Sequence, residues 1–251
     1  MLPDSNRRTI CMMMTGAVLS LPAASLAAPA TGATQTLPPG VHRLTLPRTN
    51  GAPVHYAISI PADYAPGKAV PLVLALHFGV GQGSADGAGN DVLEILVGPG
   101  LAELGAIIVA PDSVKGNWST PENEKAVNEL LDTVLAHYSI DTKRIVVTGY
   151  SMGGAGSWSF GEKFPQRFSA AIPIAGTPPQ SAAGWKLPVL AIHSRNDQVA
   201  PFAPTEARIA QLQQAGVNAK LILLSGITHY QTDRFQEPLR QAVPWLHDVW
   251  K

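Results

Sequence analysis

The run Arg144-Ile145-Val146-Val147-Thr148, followed by Gly149-Tyr150-Ser151-Met152-Gly153-Gly154, constrains the fold of this chain more than any other feature. The first five residues are largely apolar and β-branched and predict a buried strand. Ala155 to Phe164 predicts a helix. Gly-x-Ser-x-Gly between a strand and a helix is the setting of a nucleophile elbow. In so tight a turn, a side chain two residues before or after the serine would strike neighbouring backbone, and glycine removes both clashes. The serine hydroxyl would then stand at the end of a strand, beside the positive end of a helix. The motif by itself is short enough to be a structural Gly/Ser turn. Its flanking elements favour the nucleophile.

Around this turn, strand-like and helix-like runs alternate. Val54 to Ile60, Leu72 to Leu76, Ala106 to Ala110, Ala170 to Ile174, Val189 to Ile192 and Leu221 to Leu224 read as strands. Glu122 to Tyr138 is the clearest amphipathic helix, with Val127, Leu130, Leu131, Val134 and Leu135 on one face. Pro204 to Ala215 and Phe235 to Trp250 also read as helices, and Asp91 to Leu104 as one broken or kinked at Gly98-Pro99-Gly100. Such alternation predicts an α/β fold with a mostly parallel central sheet and helices on both faces. The Gly176 to Leu187 connection is too short and too rich in Pro, Gly and Ala to form a cap domain. In sheets of this kind functional groups collect at the carboxyl ends of the strands.

Composition limits the function classes. Lys plus Arg and Asp plus Glu are 18 each, so no charge excess draws the chain to nucleic acid or an anionic membrane. The sequence begins with Asn6-Arg7-Arg8, an apolar stretch from Ile10 to Leu26 and small residues at Ser25-Leu26-Ala27. These predict a signal peptide over 1–27, a flexible lead-in over 28–40 and a catalytic domain over 41–251. The paired arginines also fit a twin-arginine signal, so an exported, periplasmic or extracellular protein without stable membrane association is expected. Cys11, the single cysteine, falls inside the leader. The mature chain would have neither a disulfide nor a thiol nucleophile.

A serine hydroxyl needs a base, and the base needs an acid to orient it. In the order serine, acid, histidine, the base follows Ser151, leaving His193, His229 and His247. His247 sits within the last helix. His193 ends a strand, but no loop carboxylate lies between it and Ser151. His229 follows Leu221–Leu224 in a loop and is the expected base. Only Glu162, Asp197 and Glu206 lie between Ser151 and His229. Glu162 is roughly three helical turns along, about 16 Å from the elbow. Glu206 falls in the next helix, so Asp197 is the expected acid. The oxyanion donors expected are the backbone N–H of Met152 and that of Phe78 or Gly79, after the Leu72–Leu76 strand. His77 is expected to hold that loop. No His-Glu-x-x-His or P-loop spacing calls for a metal or organic cofactor.

At these residues the chain resembles the α/β-hydrolase superfamily. It is most similar to the small secreted esterases grouped with dienelactone hydrolases, phospholipase/carboxylesterases and polyhydroxybutyrate-depolymerase-like proteins. The resemblance rests on Pro71 to His77, Pro111-Asp112-Ser113, Arg144 to Gly154, Phe164 to Phe168, and Ile192-His193 with Asp197, Val199 and Pro201. Two departures stand out: His77-Phe78 replaces the usual His-Gly, and dienelactone hydrolases proper use a cysteine where this chain has Ser151. The resemblance implies a serine hydrolase that cleaves small or polymeric carboxylic esters through an acyl-enzyme. It also implies a substrate contact at Trp118, after the Pro-Asp-Ser segment. Trp185, in the loop after Ala175, is a further candidate for lining the cleft. A peptidase on the same scaffold and a catalytically silent binding protein are the alternatives.

Overall fold

The computed structural model describes residues 36–81, 83–180 and 184–251. The leader expected at 1–27 and all but the end of the lead-in lie outside the described residues.

Among the described residues, eight strands form one sheet: β1 (Gly40–Leu46), β2 (Val54–Ile60), β3 (Val70–Leu76), β4 (Ile107–Pro111), β5 (Ile140–Tyr150), β6 (Ala170–Ile174), β7 (Val189–Ser194) and β8 (Ala219–Leu224). Their order is β1-β2-β4-β3-β5-β6-β7-β8. β2 is antiparallel to β1 and β4, and every other pairing is parallel. This is the mostly parallel α/β-hydrolase sheet that the sequence predicts.

Because successive side chains of a strand point to opposite faces, a sheet covered on both sides carries two cores. Leu72, Leu74 and Leu76 of β3 pack on one face, with Val127, Leu130 and Val134 of the helix Pro121–His137, Trp158 and Phe160 of Met152–Lys163, and Ile209 of Ala203–Gln214. Val73 and Ala75 face the other side, with Val92, Leu96, Leu239, Trp245 and Leu246.

β1 was not foreseen. Its exposed, weakly alternating residues mark an edge strand that pairs, among the described residues, with β2 alone. The segment after β3 also departs from expectation. The helix starts earlier, at Ala88, and Ala88–Val92 is α-helical; Leu93–Val97 then makes a π-helical turn, and the helix ends with Gly98–Gly100, interrupted at that triplet before a 3₁₀ turn at Ala102–Leu104. Proline has no N–H to offer the carbonyl four residues back, that of Ile95. Gln236 Nε2 donates to that oxygen instead, at 2.6 Å. The last expected helix is divided into a 3₁₀ turn, Thr232–Phe235, and the helices Gln236–Arg240 and Ala242–Val249. The break falls where Pro244 cannot donate to Arg240. Among the described residues no helix is long and apolar enough to cross a membrane.

Candidate active site

β5 ends at Tyr150, and the helix begins at Met152, leaving Ser151 alone to make the turn. Ser151 has φ 57° and ψ −114°, a conformation rare for a residue with a side chain. Its N–H donates to Ile174 O of β6 at 2.9 Å, which ties the strained residue to the sheet. The glycines are required by contact. A Cβ on Gly153 would lie 1.9 Å from Leu76 O, and one on Gly149 would lie 2.6 Å from the same oxygen. The turn is therefore seated directly on the end of β3.

Three strand ends then converge. Ser151 Oγ is 2.7 Å from His229 Nε2, and His229 Nδ1 is 2.7 Å from Asp197 Oδ2. His229 lies beyond β8 and Asp197 beyond β7. The other carboxylate oxygen, Oδ1, accepts from Val199 N (2.9 Å) and Ala200 N (2.7 Å). With both oxygens occupied and the side chain fully buried, the carboxylate has one orientation. His229 then holds its proton on Nδ1 and turns a lone pair toward Ser151. The structure thus brings together Ser151, Asp197 and His229, the three residues singled out above.

His193 is buried beside them, with Nε2 3.5 Å from Asp197 Oδ2. Its ring is already occupied by Thr205 Oγ1 (3.0 Å) and Ala200 O (2.8 Å). Burial lowers its pKa, so a neutral ring adjoins the carboxylate.

The loop after β3 is held by a chain of hydrogen bonds. Ser113 N–H donates to His77 Nε2 at 3.0 Å, which leaves the proton on Nδ1, and Nδ1 donates to Phe78 O at 2.6 Å. The His77 ring is fully buried, and desolvation lowers its pKa, consistent with this neutral tautomer. Trp118 Nε1 donates to His77 O at 2.9 Å. Both carbonyls being fixed, the planar peptides fix the Phe78 and Gly79 N–H groups as well. Gly79 adjoins Met152: a Cβ built on it would lie 3.9 Å from that of Met152. Among the described residues, the N–H groups of Phe78, Gly79 and Met152 donate no hydrogen bond.

Neither tryptophan lines the cleft, and both expectations are corrected. Trp118 is 1% exposed, lies edge-on to His77 and packs under Gly156, supporting the loop from behind. Trp185 is buried against Trp158 and Gly161 on the far part of the helix, with its indole N–H on Leu187 O. Both side chains have spent their polar atom inside the fold, as buried tryptophans do. Tyr150, beside the nucleophile in the chain, does more than fill the core. Its ring lies against His229 and Phe235, and its hydroxyl donates to His229 O at 2.5 Å. A tyrosine in a buried strand needs a partner for its hydroxyl, and that requirement was the available signal.

The comparisons with known proteins agree with this architecture. Residues 99–241 match the Dienelactone hydrolase family. The chain belongs to that family. It is 27% identical over 178 residues to the "Probable feruloyl esterase C" of Aspergillus niger, covering 69% of this chain and 63% of that protein. It is also 27% identical over 165 residues to a bifunctional acetylxylan esterase/xylanase of Neocallimastix patriciarum, covering 63% of this chain and 24% of the other. The chain thus spans less than two thirds of these relatives' length. Among solved structures, a thermostable esterase superposes with a TM-score of 0.69 at 24% identity, covering 83% of this chain and 62% of that one. Within the family, this chain places a serine at the elbow, and Cys11 lies outside the described residues. Among the described residues no group of three or more His, Cys, Asp or Glu side chains could hold a metal ion.

Proposed function

We propose that this chain is an exported serine carboxylesterase that works through an acyl-enzyme. The observation that carries the reading is the continuous hydrogen-bonded line from Ser151 Oγ through His229 to Asp197, with 2.7 Å at each step. Ser151 Oγ attacks the ester carbonyl while His229 Nε2 takes its proton. Asp197, held by two backbone N–H groups, stabilises the imidazolium. Negative charge on the carbonyl oxygen is received by Met152 N–H and by that of Phe78 or Gly79. A preorganised donor of this kind contributes about 3 kcal/mol. The intermediate collapses as Nε2 returns the proton to the departing alcohol. Water then repeats the sequence on the acyl-enzyme, giving its proton to His229 Nε2, which passes it to Ser151 Oγ as the acid departs, while Asp197 stays ionised throughout.

The names of the relatives, feruloyl esterase and acetylxylan esterase, support small or polymeric carboxylic esters as substrates. The basic and apolar leader read from the sequence supports export, through the twin-arginine or the general route. The test is turnover of paired esters and amides sharing one acyl group, by the purified chain and by Ser151→Ala. Ester hydrolysis that disappears in the variant is expected. Preferential cleavage of the amides would make the chain a peptidase, and no turnover of either would make it a binding protein.

A further inference from the structure

The mechanism fixes where the alcohol half of the ester must lie. His229 Nε2 protonates the departing oxygen, so that oxygen comes within about 2.6–3.2 Å of the imidazole. The carbonyl oxygen meanwhile faces Met152 and the Phe78–Gly79 loop. Groups on the solvent side of His229 therefore meet the alcohol.

Two exposed apolar side chains follow the acid and the base in the chain, and one of them, Tyr230, has its ring against the imidazole. Among the described residues, Val41, Ile95, Val199 and Tyr230 are the large hydrophobic side chains left exposed, and two of these four flank the Asp197–His229 pair. Val199 sits on the turn whose N–H holds Asp197 Oδ1. Tyr230 follows His229, is 78% exposed, and presents its ring edge-on to the imidazole, with centroids 5.9 Å apart. The backbone beneath it is pinned. His229 O accepts from Tyr150, His229 N–H donates to Gln198 Oε1 at 3.4 Å, and Thr228 N–H donates to Gln231 Oε1 at 2.8 Å. Much of the ordering cost of binding is thus met before a ligand arrives. An aromatic ring on a fixed backbone, open to water beside the base, gains by being covered with a flat apolar surface.

We propose that Tyr230, with Val199 on the neighbouring turn, forms a platform for the alcohol portion of the ester and selects alcohols with a flat apolar face. A benzyl ring or the C–H face of a pyranose fits this description, and a methyl group is too small to cover the ring. The inference rests on the acyl-enzyme reading above.

The test compares methyl and benzyl esters of one acid. Both give the same acyl-enzyme, so deacylation is common to them and kcat/KM reports the step in which the alcohol is present. In Tyr230→Ala the ratio of kcat/KM for benzyl over methyl ester falls about three- to tenfold, the range expected for one lost aromatic contact. Tyr230→Phe keeps the ratio, because the ring face and not the hydroxyl makes the contact. An unchanged ratio in Tyr230→Ala, even with both rates lowered, overturns the proposal, as does a loss that follows acyl length among methyl esters. Failure of the acyl-enzyme reading looks different: Ser151→Ala would then hydrolyse both esters as well as the parent chain.

Discussion

The acid side chain shows how much one residue's hydrogen bonds decide. In Asp197→Asn the amide oxygen must stay on Val199 N and Ala200 N, because an NH₂ group there would face two donors. The NH₂ is then turned toward His229 Nδ1, which must accept, and the ring proton moves to Nε2. A histidine protonated on Nε2 cannot take the serine proton. The variant should therefore fold normally and lose about 10³–10⁴-fold in kcat, read by steady-state kinetics beside a thermal melt. A loss confined to KM would instead make Asp197 a substrate-binding residue. The double variant Asp197→Asn with His229→Ala should be little worse than either single one, since the residues act as one unit. The three residues were legible because Ser151 narrows the order and few carboxylates compete with Asp197. Trp118 and Trp185 were misread for a physical reason. A tryptophan in a loop near a site is equally suited to cover a ligand or to prop up backbone, and only the partner of its indole N–H distinguishes the two.

Strand and helix ends set the next scale. Gly153 lies so close to β3 that even a methyl group has nowhere to go. Gly153→Ala must push the helix Met152–Lys163 off the end of β3, destabilising the fold by about 3 kcal/mol or more. Chemical denaturation measures this, and a change below 1 kcal/mol would mean that the elbow is not seated as described. The central strands and the helix Pro121–His137 were readable because continuous apolar runs and amphipathic periodicity both report burial, and the helix Met152–Lys163 because it follows the Gly-x-Ser-x-Gly turn. The π-helical turn ahead of Pro99 was not, because the carbonyl of Ile95 that the proline cannot serve is taken up by Gln236, far away in sequence. Local sequence carries no trace of that bond. β1 was missed because an edge strand buries little and so leaves a weak alternation.

At the scale of the whole molecule, two neutral histidines are built into the interior. Burial places the pKa of His77 and His193 below their usual 6.5. Below pH 6.5 the unfolded chain binds protons at these rings while the folded chain does not, so acid favours unfolding. Stability from this source is complete above about pH 6.5 and declines as pH falls toward 5. Thermal melts between pH 7 and pH 5 should show Tm decreasing; a flat or rising Tm contradicts neutral burial. The helical segment over 88–100 turns Val92, Leu93, Leu96 and Val97 into the core and leaves Ile95 as its one exposed large apolar side chain, too little to act as a lid. Hydrolysis of short-chain esters should rise smoothly through the solubility limit, and a sharp jump there would show an interface-opened cover. Most direct is the identity of the nucleophile. The purified chain, treated with a fluorophosphonate probe and digested with trypsin, yields Ile145 to Lys163 as one peptide, which contains Ser151, Ser157 and Ser159. Fragmentation should place the added mass on Ser151, with no labelling of Ser151→Ala and slow labelling of His229→Ala. A label on Ser157 or Ser159, or undiminished labelling of Ser151→Ala, would contradict the assignment of Ser151 as the nucleophile.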